Sequence, residues 1–131
     1  MSYRAFGTHR HAVLLVEDDQ DTRQAFTALA CAVGLHLLVV ENGRAALDLL
    51  NAGLRPCLIV LDLLMPEMDG LSFRRAQLAD AALRDVPVAV VSGCGPGVQA
   101  EAWTLGLTVF LRKPIDPGEL VRAFFDHCRE G

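Results

Sequence analysis

Five short apolar runs punctuate the chain, at Val13–Val16, Leu37–Val40, Leu58–Leu61, Val88–Val91 and Val109–Leu111. Each is rich in Val, Ile and Leu with no polar residue interleaved, which predicts strands buried on both faces. Between them the period changes. From Asp21 to Val33, Phe26, Leu29, Ala30 and Val33 fall on one helical face, and Gly34 stands where a helix stops. A second helix is predicted from Asn42, a good N-cap, through Leu47 and Leu50 to a stop at Gly53. A third covers Leu71–Leu78 after Asp69-Gly70 and runs on to Leu83; a fourth lies around Val98–Leu105, after Gly93, Gly95, Pro96 and Gly97. The last opens with Asp116-Pro117-Gly118-Glu119, an N-cap followed by proline at the first helical position and an acid at the third, as in a capping box. Strands alternating with helices predict an α/β fold, a doubly wound parallel sheet covered on both faces.

Composition narrows the picture. With 131 residues, 52% hydrophobic and 21% charged, the chain is sized for one domain with a substantial core. Its net charge of −4 and lack of a Lys/Arg block argue against direct nucleic-acid binding. No apolar run approaches the roughly 18 residues that span a bilayer, so membrane insertion is not expected. Residues 1–11 have neither the apolar stretch nor the cleavage pattern of a signal peptide and read as a flexible tail, leaving 12–131 as the domain. Cys31, Cys57, Cys94 and Cys128 show no zinc spacing; three of them sit among apolar neighbours, where a thiol is a small hydrophobe, Cys94 in its Gly-rich loop is a candidate exposed thiol, and no disulfides are expected, in a reducing cytoplasm. His9, His11, His36 and His127 show no ligand spacing either.

Chemistry concentrates at the ends of the predicted strands. Glu17-Asp18-Asp19 follow the first, Asp62 follows the third, Ser92 the fourth, and Lys113 lies just past the fifth. In an open parallel sheet ligands bind beyond the carboxyl ends of the strands, so these residues are expected on one rim. Crowded carboxylates repel one another, and Mg²⁺, which favours hard oxygen ligands, relieves that repulsion. An ammonium and a hydroxyl on the same rim complete a site for phosphoryl chemistry, in which a carboxylate can be the nucleophile.

Four segments taken together carry a resemblance: Leu15-Val16-Glu17-Asp18-Asp19, Asp62-Leu63-Leu64-Met65-Pro66-Glu67-Met68-Asp69-Gly70, Val90-Val91-Ser92-Gly93 and Phe110-Leu111-Arg112-Lys113-Pro114. In order and spacing the chain resembles a response regulator receiver domain over roughly residues 12–130. The resemblance implies a flavodoxin-like receiver fold with five strands in the order 2-1-3-4-5. It implies Asp62 as phosphoacceptor and Mg²⁺ held by Asp18, Asp62 and the Leu64 backbone carbonyl, with Glu17 reaching the metal through water. Ser92 then binds the phosphoryl group, Lys113 pairs with it, and Phe110 is the switch aromatic. The implied partners are a sensor histidine kinase or histidine phosphotransfer protein, and a downstream protein or second copy on the face formed by helix 4, strand 5 and helix 5. Two departures stand out: the 21-residue interval from Ser92 to Lys113 is about one residue shorter than usual, and Phe110 lacks the hydroxyl of a tyrosine.

Each residue alone has a plainer reading: Asp18 and Asp19 as turn or N-cap residues, Ser92 as a turn serine, Lys113 as a solvated lysine, Phe110 as core. Only their combination reverses it. An aspartate-nucleophile phosphatase would need a second carboxylate near Asp62, whereas position 64 is leucine, so a turnover enzyme is not expected. A nucleotide-binding domain would carry a glycine-rich turn where Glu17-Asp18-Asp19 stand. The remaining alternative is a non-phosphorylated receiver-like interaction module. In the last helix, Leu120 with Phe124 and Val121 with Phe125 form two apolar rows; the simplest expectation buries all four, Val121 and Phe125 first.

Overall fold

The computed structural model describes residues 12–63, 69–92, 96–112 and 116–127. Five parallel strands, β1 (Ala12–Val16), β2 (His36–Val40), β3 (Leu58–Asp62), β4 (Val88–Ser92) and β5 (Val109–Arg112), pair in the order β2-β1-β3-β4-β5. Five helices alternate with them: α1 (Gln20–Val33), α2 (Gly43–Asn51), α3 (Gly70–Leu78), α4 (Pro96–Thr104) and α5 (Pro117–His127). All five predicted strands are present, each within a residue of its expected ends, in the expected flavodoxin-like topology.

The central strands β1 and β3 are buried at every position, which is why their sequences are apolar throughout except for Asp62 at the end of β3. The pleat nevertheless sorts alternate residues to opposite faces. Leu14, Val16, Ile59, Leu61 and Val90 join Leu47 and Leu50 of α2, Phe73 of α3 and Ala102 of α4 in one cluster. Val13, Leu15, Leu58, Val60 and Val91 join Phe26 of α1 and Leu120, Ala123 and Phe124 of α5 in the other. The chain leaves β1 toward β2 on one side and returns to β3 on the other, so the switch point lies between the carboxyl ends of β1 and β3.

Side-chain caps start the helices where the sequence predicts. The Asp19 carboxylate accepts from Thr22 N at 2.9 Å, Asn42 Oδ1 from Ala45 N at 2.9 Å, and Asp69 Oδ1 from Ser72 N at 2.8 Å. Asp116 Oδ1 accepts from Gly118 N at 2.9 Å, one residue earlier than a capping box requires. Gly34, at φ 81°, closes α1 in the left-handed conformation that favours glycine.

Four expectations are corrected. Val33 is exposed although it shares a helical face with Phe26 and Ala30, because the edge strand β2 is too lightly covered to receive it. Helix α3 ends at Leu78 and does not reach Leu83: Asp80 Oδ1 accepts from Ala82 N at 2.9 Å, and the buried Gln77 Nε2 donates to the carbonyls of Leu83 and Val86, both at 3.0 Å. The first bond takes an N–H that a longer helix would have used itself, and the other two satisfy carbonyls of the turn that replaces it. In α5 the buried row is Leu120 with Phe124, whereas Phe125 is 67% exposed against 3% for Phe124. Their rings meet edge to face with centroids 5.3 Å apart. Finally, Cys57, buried just before β3, is disulfide-bonded, with its partner outside the described residues; Cys31 is an exposed free thiol. Among the described residues no helix is long and apolar enough to cross a membrane.

Candidate metal centre

The pairing of Val16 with Leu61 sets the next residues, Glu17 and Asp62, level at the switch point. Carboxylate oxygens of Glu17, Asp18 and Asp62 all lie within 4.8 Å of one another, with Glu17 and Asp62 buried and Asp18 exposed. The turn after β1 is shaped by its own hydrogen bonds. Glu17 N donates to Val40 O at 3.1 Å, carrying the β1–β2 ladder one residue further. The Glu17 side chain folds back, its Oε2 accepting from Asp19 N at 3.1 Å. Asp19 is committed to capping α1, so the plain N-cap reading holds for Asp19 while Asp18 turns to the cluster.

Arg23, which the sequence reading did not single out, braces this turn. Its Nη1 donates to Glu17 O at 3.1 Å and Asp18 O at 2.9 Å. A guanidinium thereby orders the backbone that carries two of the three carboxylates and places a fixed positive charge near them. Its position in the first turn of α1, five residues beyond Asp18, is the only signal in the sequence.

A second unanticipated contributor is Gly70. Its N–H donates to Leu63 O at 3.1 Å, and a Cβ there would stand 2.6 Å from Asp62 O and 2.7 Å from Leu63 Cα. Only a bare α-carbon lets the first turn of α3 approach the end of β3 this closely. Gly70→Ala is therefore expected to destabilise the fold by about 1–3 kcal/mol, read as a lower midpoint in urea unfolding with an unchanged slope.

The donor set fits a small hard cation: three carboxylates from two adjacent strand ends, two of them shielded from water. Ser92 ends β4, pairing with Arg112 one step beyond the Asp62–Val91 pair. Its side chain, and Leu64 and Lys113 altogether, lie outside the described residues. Phe110 pairs with Val90, is partly buried and packs on the same cluster as Ala102 and Val98 of α4. It also lines, with Glu119, Arg122 and Asp126 of α5, a groove of about 220 Å³.

The family model of the response regulator receiver domain matches residues 13–125. The chain belongs to that family. Response regulator Rre1 of Synechocystis sp. is 32% identical over 83% of this chain, a match covering 48% of Rre1. The polar-differentiation response regulator DivK of Brucella anthropi is 33% identical over 79% of this chain and 85% of its own length. The chain thus spans about half the length of some curated relatives and most of the length of others. Among solved receiver domains, that of a sensor histidine kinase from Pseudomonas aeruginosa superposes with a TM-score of 0.81 at 25% identity, covering 90% of this chain and 97% of that one. That structure has a magnesium ion coordinated in its active-site cleft.

Proposed function

We propose that this receiver domain takes a phosphoryl group onto Asp62 from a phosphohistidine on a sensor histidine kinase or histidine phosphotransfer protein, and in response reshapes a protein-binding surface. The observation that carries this reading is the buried Asp62 carboxylate set against Glu17 and Asp18 at the switch point of the sheet. Receiver domains of two-component systems act this way as phosphoacceptors, without turnover. A cytoplasmic location follows from that partnership.

In the transfer, an Asp62 carboxylate oxygen forms a bond to phosphorus as the P–N bond to the histidine breaks and the imidazole leaves. Asp18 and Asp62, with the Leu64 carbonyl that the resemblance implies, would hold Mg²⁺, Glu17 acting through water, and the ion would supply neutralising charge for the phosphoryl oxygens. Ser92 donates a hydrogen bond to one of those oxygens, and Lys113 pairs with another. Asp19 and Arg23 keep the acidic turn in place through their bonds to Thr22 N and to the Glu17 and Asp18 carbonyls.

The test is incubation with acetyl phosphate, with and without Mg²⁺. Uptake of one hydroxylamine-sensitive phosphate only with the metal supports the reading. No uptake from acetyl phosphate or from a phosphohistidine protein would favour the non-phosphorylated interaction module.

Movement of Ser92 toward the phosphoryl group vacates space for Phe110 and alters the face formed by α4, β5 and α5. Two large apolar side chains on these helices are already in water, Trp103 of α4 and Phe125 of α5. Phe125→Ser is expected to weaken self-association or partner binding at least about fivefold, measured by sedimentation, with phosphate uptake unchanged. Phe124→Ser should instead lose both, because that ring is core.

A further inference from the structure

The two edges of the sheet differ in how they meet water. Strand β5 carries Arg112 and is bordered by Glu119, Arg122 and Asp126 of α5, which line the groove beside it. Strand β2 has no Asp, Glu, Lys, Arg or Pro, the residues that keep an edge strand from pairing. Its flank is apolar as well. Val33 of α1 and Val39 are exposed, and Val39 lines, with Ala28 and Cys31 of α1, a groove of about 610 Å³. Among the described residues no strand pairs with the outer side of β2.

The ladder to β1 fixes which backbone groups face that outer side. Glu17 N donates to Val40 O, and in a parallel pair every second residue turns both its N–H and its C=O toward the neighbouring strand. His36, Leu38 and Val40 are therefore turned to β1, while Leu37 and Val39 present two donors and two acceptors outward. An antiparallel copy of the same strand meets all of them. With Leu37 opposite Val39 of the second copy, and Val39 opposite Leu37 of the second copy, each pair exchanges two hydrogen bonds about a two-fold axis at Leu38. A shift of one residue would oppose these groups to ones already bonded to β1. A shift of two would bring Leu35 or Glu41, both outside the strand, into the ladder.

The side chains agree with that register. Leu37 and Val39 stand beside Val13 and Leu15 on the α1 face, and Leu38 stands beside Leu14 on the α2 face. A two-fold axis perpendicular to the sheet keeps each face on its own side, so Val39 meets Leu37 at the mouth of the groove and Leu38 meets itself. Charge is complementary too. The exposed Glu41, just past the strand, comes to the amino end of the second β2, where the exposed His36 stands. We infer that β2 is a self-association edge: two copies of the chain pair their β2 strands antiparallel about Leu38 and join their sheets into one. Because β2 and β5 lie at opposite edges, this pairing leaves the face of α4, β5 and α5 open. The inference is independent of the phosphoacceptor reading.

Sedimentation equilibrium of the whole chain over a range of concentrations is expected to show monomer and dimer in exchange. Val39→Lys puts a charge on the exposed edge, and Val39→Pro removes an outward N–H without touching the ladder to β1. Each should weaken dimerisation at least about tenfold, with the circular dichroism spectrum unchanged. Disulfide trapping in a Cys31→Ser background tests the register. Leu38→Cys sets two thiols across the axis on Cα atoms about 4.5 Å apart, within the range that a disulfide tolerates. Leu37→Cys sets them two residues out of step and should cross-link at least about tenfold less. Adding Phe125→Ser should leave the Leu38→Cys cross-link intact. A chain still monomeric at about 0.5 mM, dimerisation indifferent to both Val39 substitutions, cross-linking through Leu37→Cys equal to that through Leu38→Cys, or loss of the cross-link with Phe125→Ser would each overturn the inference.

Discussion

The Asp62→Asn protein, incubated with acetyl phosphate and Mg²⁺, is expected to take up phosphate at least about a hundredfold less than the unaltered chain, because a carboxamide keeps the shape of the side chain but not its nucleophilic oxygen. The substitution removes one of three carboxylates that lie within 4.8 Å of one another, so repulsion falls and the fold should be retained. Magnesium supplies the second arm. A tenfold excess of Mg²⁺ over its Kd stabilises a folded site by about 1.4 kcal/mol, or roughly 3–6 °C in a domain of this size. The unaltered chain should show that rise, and Asp62→Asn, short of one ligand, should show less of it. Labelling of the variant at the wild-type level would move the phosphoacceptor elsewhere. An equal magnesium shift in both proteins would remove Asp62 from the metal site.

The second large effect concerns how long the acyl phosphate lasts. Hydrolysis needs a water held in line with the phosphorus–oxygen bond, and on the proposed phosphoacceptor reading the positions expected to orient it are two residues beyond Asp62 and two beyond Ser92. These are Leu64 and Cys94, neither of which is a good hydrogen-bonding partner for water. Slow self-dephosphorylation is therefore expected, and Leu64→Asn or Leu64→Gln should hasten it by about tenfold, by adding a group that positions the water. The measurement is the decay of labelled protein after the phosphodonor is removed. Unchanged or slower decay in both variants would show that water positioning is not what limits the lifetime.

Much of the architecture is legible in local pattern. The five apolar runs identify β1 to β5 because a doubly covered parallel sheet needs apolar residues on both faces of each strand, and no helical stripe would read that way. Asn42, Asp69 and Gly34 end or begin helices for reasons confined to a few neighbouring residues. The carboxylate cluster was also foreseeable, because strand ends in a parallel sheet share a rim whatever lies between them.

What local pattern could not decide was choice among equivalent positions and contact between remote ones. Leu120 with Phe124 and Val121 with Phe125 are equally apolar rows at the same spacing, and only the approach of α5 to β1, β3 and β4 buried the first and left Phe125 in water. Asp18 and Asp19 are the same residue type side by side; the path of the turn into α1 gave one to the carboxylate cluster and the other to Thr22 N. Gly70 looks like any helix-start glycine until the backbone of Asp62 is found against it. Gln77 reads as a surface residue until the carbonyls of Leu83 and Val86 close over it. Cys57 reads as a small hydrophobe until the folded chain holds it in a disulfide. Periodicity and capping are properties of neighbours along the chain and survive in any context, whereas each of these outcomes depends on a distance between segments that only the packed sheet and helices establish.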